Sequence, residues 1–336
     1  MNQAQPSARR RASLSCMFGL ALSVALPAAL PSTAYAQAWP TKVVRIVVGG
    51  PAGGTADILG RMLAEGLTQS LGKPVIVEQK PGGAGAIAVN TLLSAPHDGH
   101  TLLLIQGGIV SETPLALKVS FDPFKDLKPV AQVARTGLVL VGNPKLPAKN
   151  FSELLAYIKS KPGQIDYASY AAGMRGQTIG VQFNRLAGVD MKHVGYKGSP
   201  PALQDVMGGH VPLMFDGLAT SLPLIKSGKL KAYAVAYPKR IPALPDVPTF
   251  AEVGFPAMTE PSWMGVWLPP DVPAAVQEKI RNATLAIVQQ PRYRERVEAM
   301  GMDAGQPLSS EALSKDARAA HERQAGLLRA IHFVPE

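Results

Sequence analysis

Cysteine is nearly absent from this chain. Cys16 is the only one in 336 residues, and it precedes an apolar run instead of following it. That order argues against a lipidated cysteine. Beyond position 36 there is no thiol to form a disulfide, bind a metal or act as nucleophile. Long apolar runs are missing there too, so no later segment reaches the ~20 residues that a spanning helix needs. Catalytic signatures are equally scarce. The sequence holds no G-x-S-x-G elbow and no H-E-x-x-H pair, and its six histidines never fall four apart on one helix. No lysine or arginine run outside the first residues offers a track for nucleic acid.

What is present begins at the N-terminus. Arg9-Arg10-Arg11 is followed by an apolar stretch from Met17 to Leu30 and by Ala34-Tyr35-Ala36 before Gln37. This is the grammar of a cleaved secretory signal peptide over residues 1–36. The alternative, a membrane anchor, is disfavoured because the run is short and Pro27 and Pro31 interrupt it. The expected product is therefore soluble and exported. Removing three arginines from 34 basic and 24 acidic side chains leaves an excess of +7, a surface that attracts small anions.

Strand and helix patterns alternate after the leader. Val43–Val48, Val75–Val77 and Thr101–Ile105 read as short apolar strands separated by helices, and a second alternation starts near Leu138. This pattern predicts an α/β fold with parallel sheets and right-handed crossovers. The expected division is residues 37–136 as the first part of one lobe, 137–261 as the second lobe, and 262–336 as a return to the first. Pro238 to Pro261 reads as an irregular connector. In such chains ligands bind at domain interfaces and at the carboxyl ends of the strands.

Two glycine loops draw attention. Gly49-Gly50-Pro51-Ala52-Gly53-Gly54-Thr55-Ala56-Asp57 follows the first strand and opens a helix. Bare N–H groups at such a helix start bind anions; a tight turn with no ligand is the alternative. Thr55 stands where a phosphate loop requires lysine, so nucleotide hydrolysis is excluded. Gly83-Ala84-Gly85-Ala86-Ile87-Ala88 fits the dinucleotide fingerprint, but the position of its acidic partner holds Leu104-Ile105-Gln106-Gly107. No nicotinamide cofactor is expected, and no other cofactor or metal. The loop reads instead as a second turn bordering the same cleft.

An ordered series of short motifs then resembles a known family. Trp39-Pro40, Gly53-Gly54-Thr55-Ala56-Asp57-Ile58, Leu71-Gly72-Lys73-Pro74-Val75 and Pro81-Gly82-Gly83-Ala84-Gly85 come first. Asp98-Gly99-His100-Thr101-Leu102-Leu103, Phe121-Asp122-Pro123-Phe124-Lys125-Asp126, Tyr196-Lys197-Gly198 and Leu244-Pro245-Asp246-Val247-Pro248-Thr249 follow. The chain is similar over nearly its whole length beyond the leader to substrate-binding proteins of tripartite tricarboxylate transporters, the Bug receptors. The resemblance implies a type II periplasmic-binding-protein-like fold, with two α/β lobes and a ligand cleft between them. It implies capture of a small organic anion, a carboxylate, with no chemistry on it. Delivery would go to membrane permease subunits, with a sensor kinase as a further partner.

In that family the carboxylate is held largely by backbone N–H groups of the first loop and by a serine-rich loop of the other lobe. Carried onto this sequence, the resemblance points to Pro51, Ala52, Gly53, Gly54, Thr55 and Asp57 from the first loop. Gly107, Gly173, Arg175, Gly176, Gln177, Tyr196 and Asp216 complete the expected ligand-binding set. The second loop departs from the family's Gly-Ser-Pro-Ser-His-like run, with Met174-Arg175-Gly176-Gln177 in place of its hydroxyls. Arg175 could supply a bidentate fork for a carboxylate, or it could be a solvated loop arginine. Gln177 keeps a polar donor. Two other functions stay open at this stage: an exported hydrolase using a cleft acid such as Asp57 or Asp216, and a ligand-dependent signalling adaptor.

Overall fold

The central strands of each sheet, such as Val44–Val48, Thr101–Gln106 and Leu138–Gly142, are buried on both faces. The structure, a computed structural model, describes residues 39–330 and 333–335; the expected leader lies outside them. The first part runs β1 (Val44–Val48), α1 (Thr55–Leu71), β2 (Val75–Gln79), α2 (Ala86–Leu93) and β3 (Thr101–Gln106). Single-turn helices α3 (Gly108–Ser111) and α4 (Thr113–Ala116) lead to β4 (Lys128–Thr136). After Gly137 the chain enters the second sheet with β5 (Leu138–Gly142), α5 (Phe151–Lys159), β6 (Ile165–Ser169) and α6 (Arg175–Ala187). Then come β7 (Met191–Gly195), α7 (Ser199–Gly208), β8 (Leu213–Gly217), α8 (Leu218–Lys226) and β9 (Lys231–Ala236). The chain returns through β10 (Ser262–Leu268), α9 (Ala274–Val288), α10 (Pro291–Ala299), β11 (Asp303–Ala304) and α11 (Ser310–Ala330).

The strand orders are β11-β4-β10-β3-β1-β2 and β7-β6-β8-β5-β9. On one face of the first sheet, Ile46 and Val48 pack with Leu59, Leu63 and Leu67 of α1. On the other, Val47 joins Val89, Leu103 and Trp267. The alternation of Cβ directions along a strand makes two cores from one apolar run. Each fully buried leucine of α1 contributes about 1.5–3 kcal/mol. The second sheet repeats the plan, with Leu138 and Leu140 in one cluster and Val139 and Val141 in the other.

The sheets are mixed, which corrects the expectation of parallel sheets. β1 pairs in parallel with β2 and β3, but β10 runs antiparallel to β3 and β4. β6 is parallel to β7 and β8, but β5 is antiparallel to β8 and β9. β5 follows β4 with one intervening residue and no crossover helix. It therefore runs away from the junction while β6 and β8 run towards it. β4 is also an element that the sequence pattern hides, since Gln132 and Arg135 break its apolar run.

Candidate functional site

The carboxyl ends of β1, β3, β6 and β8 converge on the gap between the two lobes. A cavity of about 360 Å³ lies there. The first lobe lines it with the β1–α1 loop, the turn at Gly82–Gly85, and Ile105 and Gln106 at the end of β3. The second lobe lines it with Tyr170–Ala172, Met174, the segment Gly195–Ser199 and Gly217. Leu138 and Met264 close the side where the chain passes between lobes. Lys197 is the one charged side chain among these lining residues, and it is exposed.

Backbone amides add to the polarity that Gln106, Thr136, Tyr196, Lys197 and Ser262 bring to this cavity. Gly54 is extended (φ −75°, ψ 163°) and its carbonyl accepts from Ile58 N–H at 3.0 Å, which starts α1. The next two amides, Thr55 and Ala56, have no acceptor among the described residues, as the first turn of a helix requires. Both residues line the cavity. They present free donors at the positive end of a 17-residue helix, a ready anion site.

Asp57 faces away from this space. Its carboxylate accepts from Gly53 N–H at 2.9 Å, Gln79 Nε2 at 2.6 Å and Arg61 Nε at 3.0 Å. Burial pushes its pKa up, but the bonds from Arg61, Gly53 and Gln79 outweigh that and leave it lowered. Asp57 thus pins the loop from behind. Ala52 and Gly53, on the exposed side of the turn, do not line the cavity.

Asp216 does a similar job in the other lobe. It is fully buried and accepts from Ser199 Oγ at 2.5 Å, Thr220 Oγ1 at 2.6 Å and Ser221 Oγ at 2.6 Å. Burial raises its pKa, while the hydroxyls and Gly217 N–H pull it back. It ties the starts of α7 and α8 together under the cavity wall. The start of α6 is also internally bonded. Gly173 N–H donates to Gln177 Oε1 at 2.7 Å, and Gly176 N–H to Tyr170 Oη at 3.2 Å. None of Gly173, Gly176 and Gln177 lines the cavity.

Arg175 lies at a second cavity. It is only 7% exposed, so it is not a solvated loop arginine, and it lies outside the lining of the first cavity. The second cavity, of about 280 Å³, is also lined by Gly107, Glu112, Arg135, Glu260 and Gln324. Its Nη2 donates to the Glu260 carbonyl at 3.4 Å, while the Glu260 carboxylate pairs with Arg323. Glu112 is buried and its Oε2 has no partner. Burial pushes its pKa up to about 7, against the pull of the Arg175 charge.

Of the residues expected from sequence, the first cavity brings together Pro51, Gly54, Thr55 and Tyr196. Sequence reasoning passed over most of its apolar wall, chiefly Ile105, Leu117, Leu138 and Met264. The position of Ile105 at the carboxyl end of a parallel strand was the one signal that marks it in advance. The two lobes meet beside the cavity. A Cβ on Gly198 would collide with Pro51 Cδ, and one on Gly173 would collide with Ala116 Cβ.

The comparisons with known proteins point one way. The family described as the tripartite tricarboxylate transporter family receptor matches residues 59–332. The chain is 34% identical over 286 residues to a UPF0065 protein of Bordetella bronchiseptica, covering 85% of this chain and 83% of that one. The structure of R. palustris Rpa4515 with adipate superposes with a TM-score of 0.85 at 29% identity, covering 89% of this chain and all of that one. The periplasmic binding protein BugD does so at 0.83 and 30%, again over 89% of this chain and all of its own. By sequence and by fold, this chain belongs to the receptor family of the tripartite tricarboxylate transporters.

Proposed function

We propose that this chain is an exported periplasmic receptor that captures a small carboxylate in the first cavity and passes it to the membrane permease of a tripartite transporter. One observation carries the proposal: the unpartnered amides of Thr55 and Ala56 at the start of α1, opening into a cavity between two lobes. A carboxylate seated there accepts charge-assisted hydrogen bonds from backbone alone. The adipate in Rpa4515 supports this class of ligand.

In this reading residues 1–36 are removed, 37–136 and 262–336 form one lobe, and 137–261 form the other. Pro51, Gly54, Thr55, Ala56 and Tyr196 touch the ligand. Asp57 and Asp216 hold the two jaws in shape from behind, and Gly173, Gly176 and Gln177 set the start of α6. Gly107 and Arg175 belong to the second cavity and do not contact the ligand. Capture raises the melting temperature of the purified protein across a panel of carboxylates. A ligand at about 100 times its Kd adds about 2.7 kcal/mol to stability. No shift with any aliphatic, hydroxylated or aromatic acid contradicts the proposal.

A further inference from the structure

We propose that the second cavity is a separate binding site for a small tetrahedral oxyanion of the sulfate or phosphate class, held by Arg135, Arg175 and Gln324. The two cavities share only Ser262 among their lining residues, so this site stands apart from the capture of a carboxylate in the first.

Donors without acceptors reach the second cavity from three elements. Arg175, at the start of α6, is buried, and its side chain makes one hydrogen bond among the described residues, at 3.4 Å to the Glu260 carbonyl. Most of the N–H groups of its guanidinium are left over. Arg135, from β4, is half-buried and has no ion pair or side-chain hydrogen bond among the described residues. Gln324, from α11, is 4% exposed, and its Nε2 has no partner. All three line the same cavity, and donors buried in this way are costly to leave unpaired.

Acceptors are scarcer. The Glu260 carboxylate is paired with Arg323, and Asp316 Oδ2 accepts from the Trp263 indole N–H at 3.0 Å. The remaining carboxylate is Glu112, buried between α3 and α4 with Oε2 unpartnered. It faces the charge and backbone N–H of Arg175 from α6, the charge of Glu260 from the segment before β10, and Tyr170 from the loop after β6. Burial favours its neutral form, with a pKa of about 7. Once protonated, its carboxyl becomes a donor and no longer offsets the Arg175 charge. The guanidiniums of Arg135, Arg175 and Arg323 then stand against the carboxylates of Glu260 and Asp316 alone. An anion offsets the excess cation and accepts from the spare donors. Guanidiniums bind carboxylates and phosphates alike, but donors arriving from β4, α6, α11 and the α3–α4 junction suit four oxygens better than two. Binding takes up a proton from solvent at Glu112 and weakens as pH rises through that pKa.

The test is titration calorimetry with sodium sulfate, whose charge is constant near neutral pH, on the exported form of the protein in a cationic buffer. Sulfate is expected to bind at about pH 6 and to lose about tenfold in affinity by about pH 8. Glu112→Gln is expected to bind it across that range without the loss. Arg135→Gln is expected to weaken it at least about tenfold and Gln324→Leu about three- to tenfold, while Thr55→Pro leaves it unchanged. No binding at millimolar sulfate overturns the proposal. Binding that Thr55→Pro removes and Arg135→Gln spares lies at the start of α1 and overturns it too. Acetate held more tightly than sulfate by an Arg135-dependent site overturns the tetrahedral assignment. An affinity that does not fall with pH contradicts the role of Glu112.

Discussion

The two cavities beside the lobe junction are close in size and opposite in chemistry. The larger is walled by backbone, apolar side chains and neutral polar ones such as Gln106, Thr136 and Ser262, and its one lining charge is exposed. The smaller gathers Glu112, Arg135, Arg175, Glu260, Asp316 and Arg323. Of these, Glu112 and Arg175 are buried while Asp316 and Arg323 are exposed, and a buried ionic group is costly unless paired. The larger cavity is left free to use helix amides, which are held rigidly and do not titrate. On the proposed function, charged side chains near the junction are poor guides to where the ligand sits.

That contrast can be broken at its supports. The largest effect is expected from Asp216→Ala, which leaves three inward hydroxyls without their acceptor beneath the larger cavity. Leaving these three hydroxyls without an acceptor, at about 1–3 kcal/mol each, should cost about 3–5 kcal/mol in urea unfolding. A loss below about 1 kcal/mol shows that the walls of the larger cavity do not depend on it.

Next is Glu112 in the smaller cavity. Its pKa is about 7 in the folded protein against an ordinary 4.5. The folded state therefore holds a proton that the unfolded state has released, and stability falls as pH rises between those values. The shift corresponds to about 3 kcal/mol, and Glu112→Gln should remove that slope. The variant is expected to match the parent near about pH 4.5 and to exceed it above about pH 7. Parallel stability curves across that range contradict the account of the smaller cavity.

A third change acts where the lobes touch. Gly198 has φ +112° and lies against Pro51, so Gly198→Ala combines a strained backbone with a clash. It should destabilise by about 1–2 kcal/mol and weaken ligand binding by keeping the jaws apart. Unchanged affinity means that closure at this contact is not coupled to capture. The smallest effect is expected from Arg175→Ala, read by calorimetry. Ligand affinity should stay within about 0.5 kcal/mol of the parent, since a guanidinium that contacted the carboxylate would be worth about 1.5–3 kcal/mol.

The legibility of the sequence follows the same division. Strands such as Leu138–Gly142 are apolar at every position, and the Gly49–Asp57 loop marks its helix start, so the α/β fold and one jaw could be read directly. β4 could not, because Gln132 and Arg135 serve the junction and interrupt its apolar pattern. Arg175 misled for a different reason. A loop arginine in a family's binding position suggests a carboxylate partner, whereas its direction depends on Glu112 and Glu260, distant in sequence. Most of the apolar wall left no motif, since Ile105, Leu138 and Met264 look like ordinary core residues until the lobes are assembled.

The central claim concerns the amides at the start of α1, and one of them can be removed alone. Thr55 is the first helical residue, where proline is well tolerated, and the extended Gly54 before it already suits a following proline. Thr55→Pro deletes the N–H, while Thr55→Ala deletes only the hydroxyl. Affinity of both variants for the tightest-binding acid should be measured by titration calorimetry. The account predicts that Thr55→Pro loses about 1.5–3 kcal/mol of binding with little change in melting temperature, and that Thr55→Ala keeps most of its affinity. Full affinity in Thr55→Pro would contradict it.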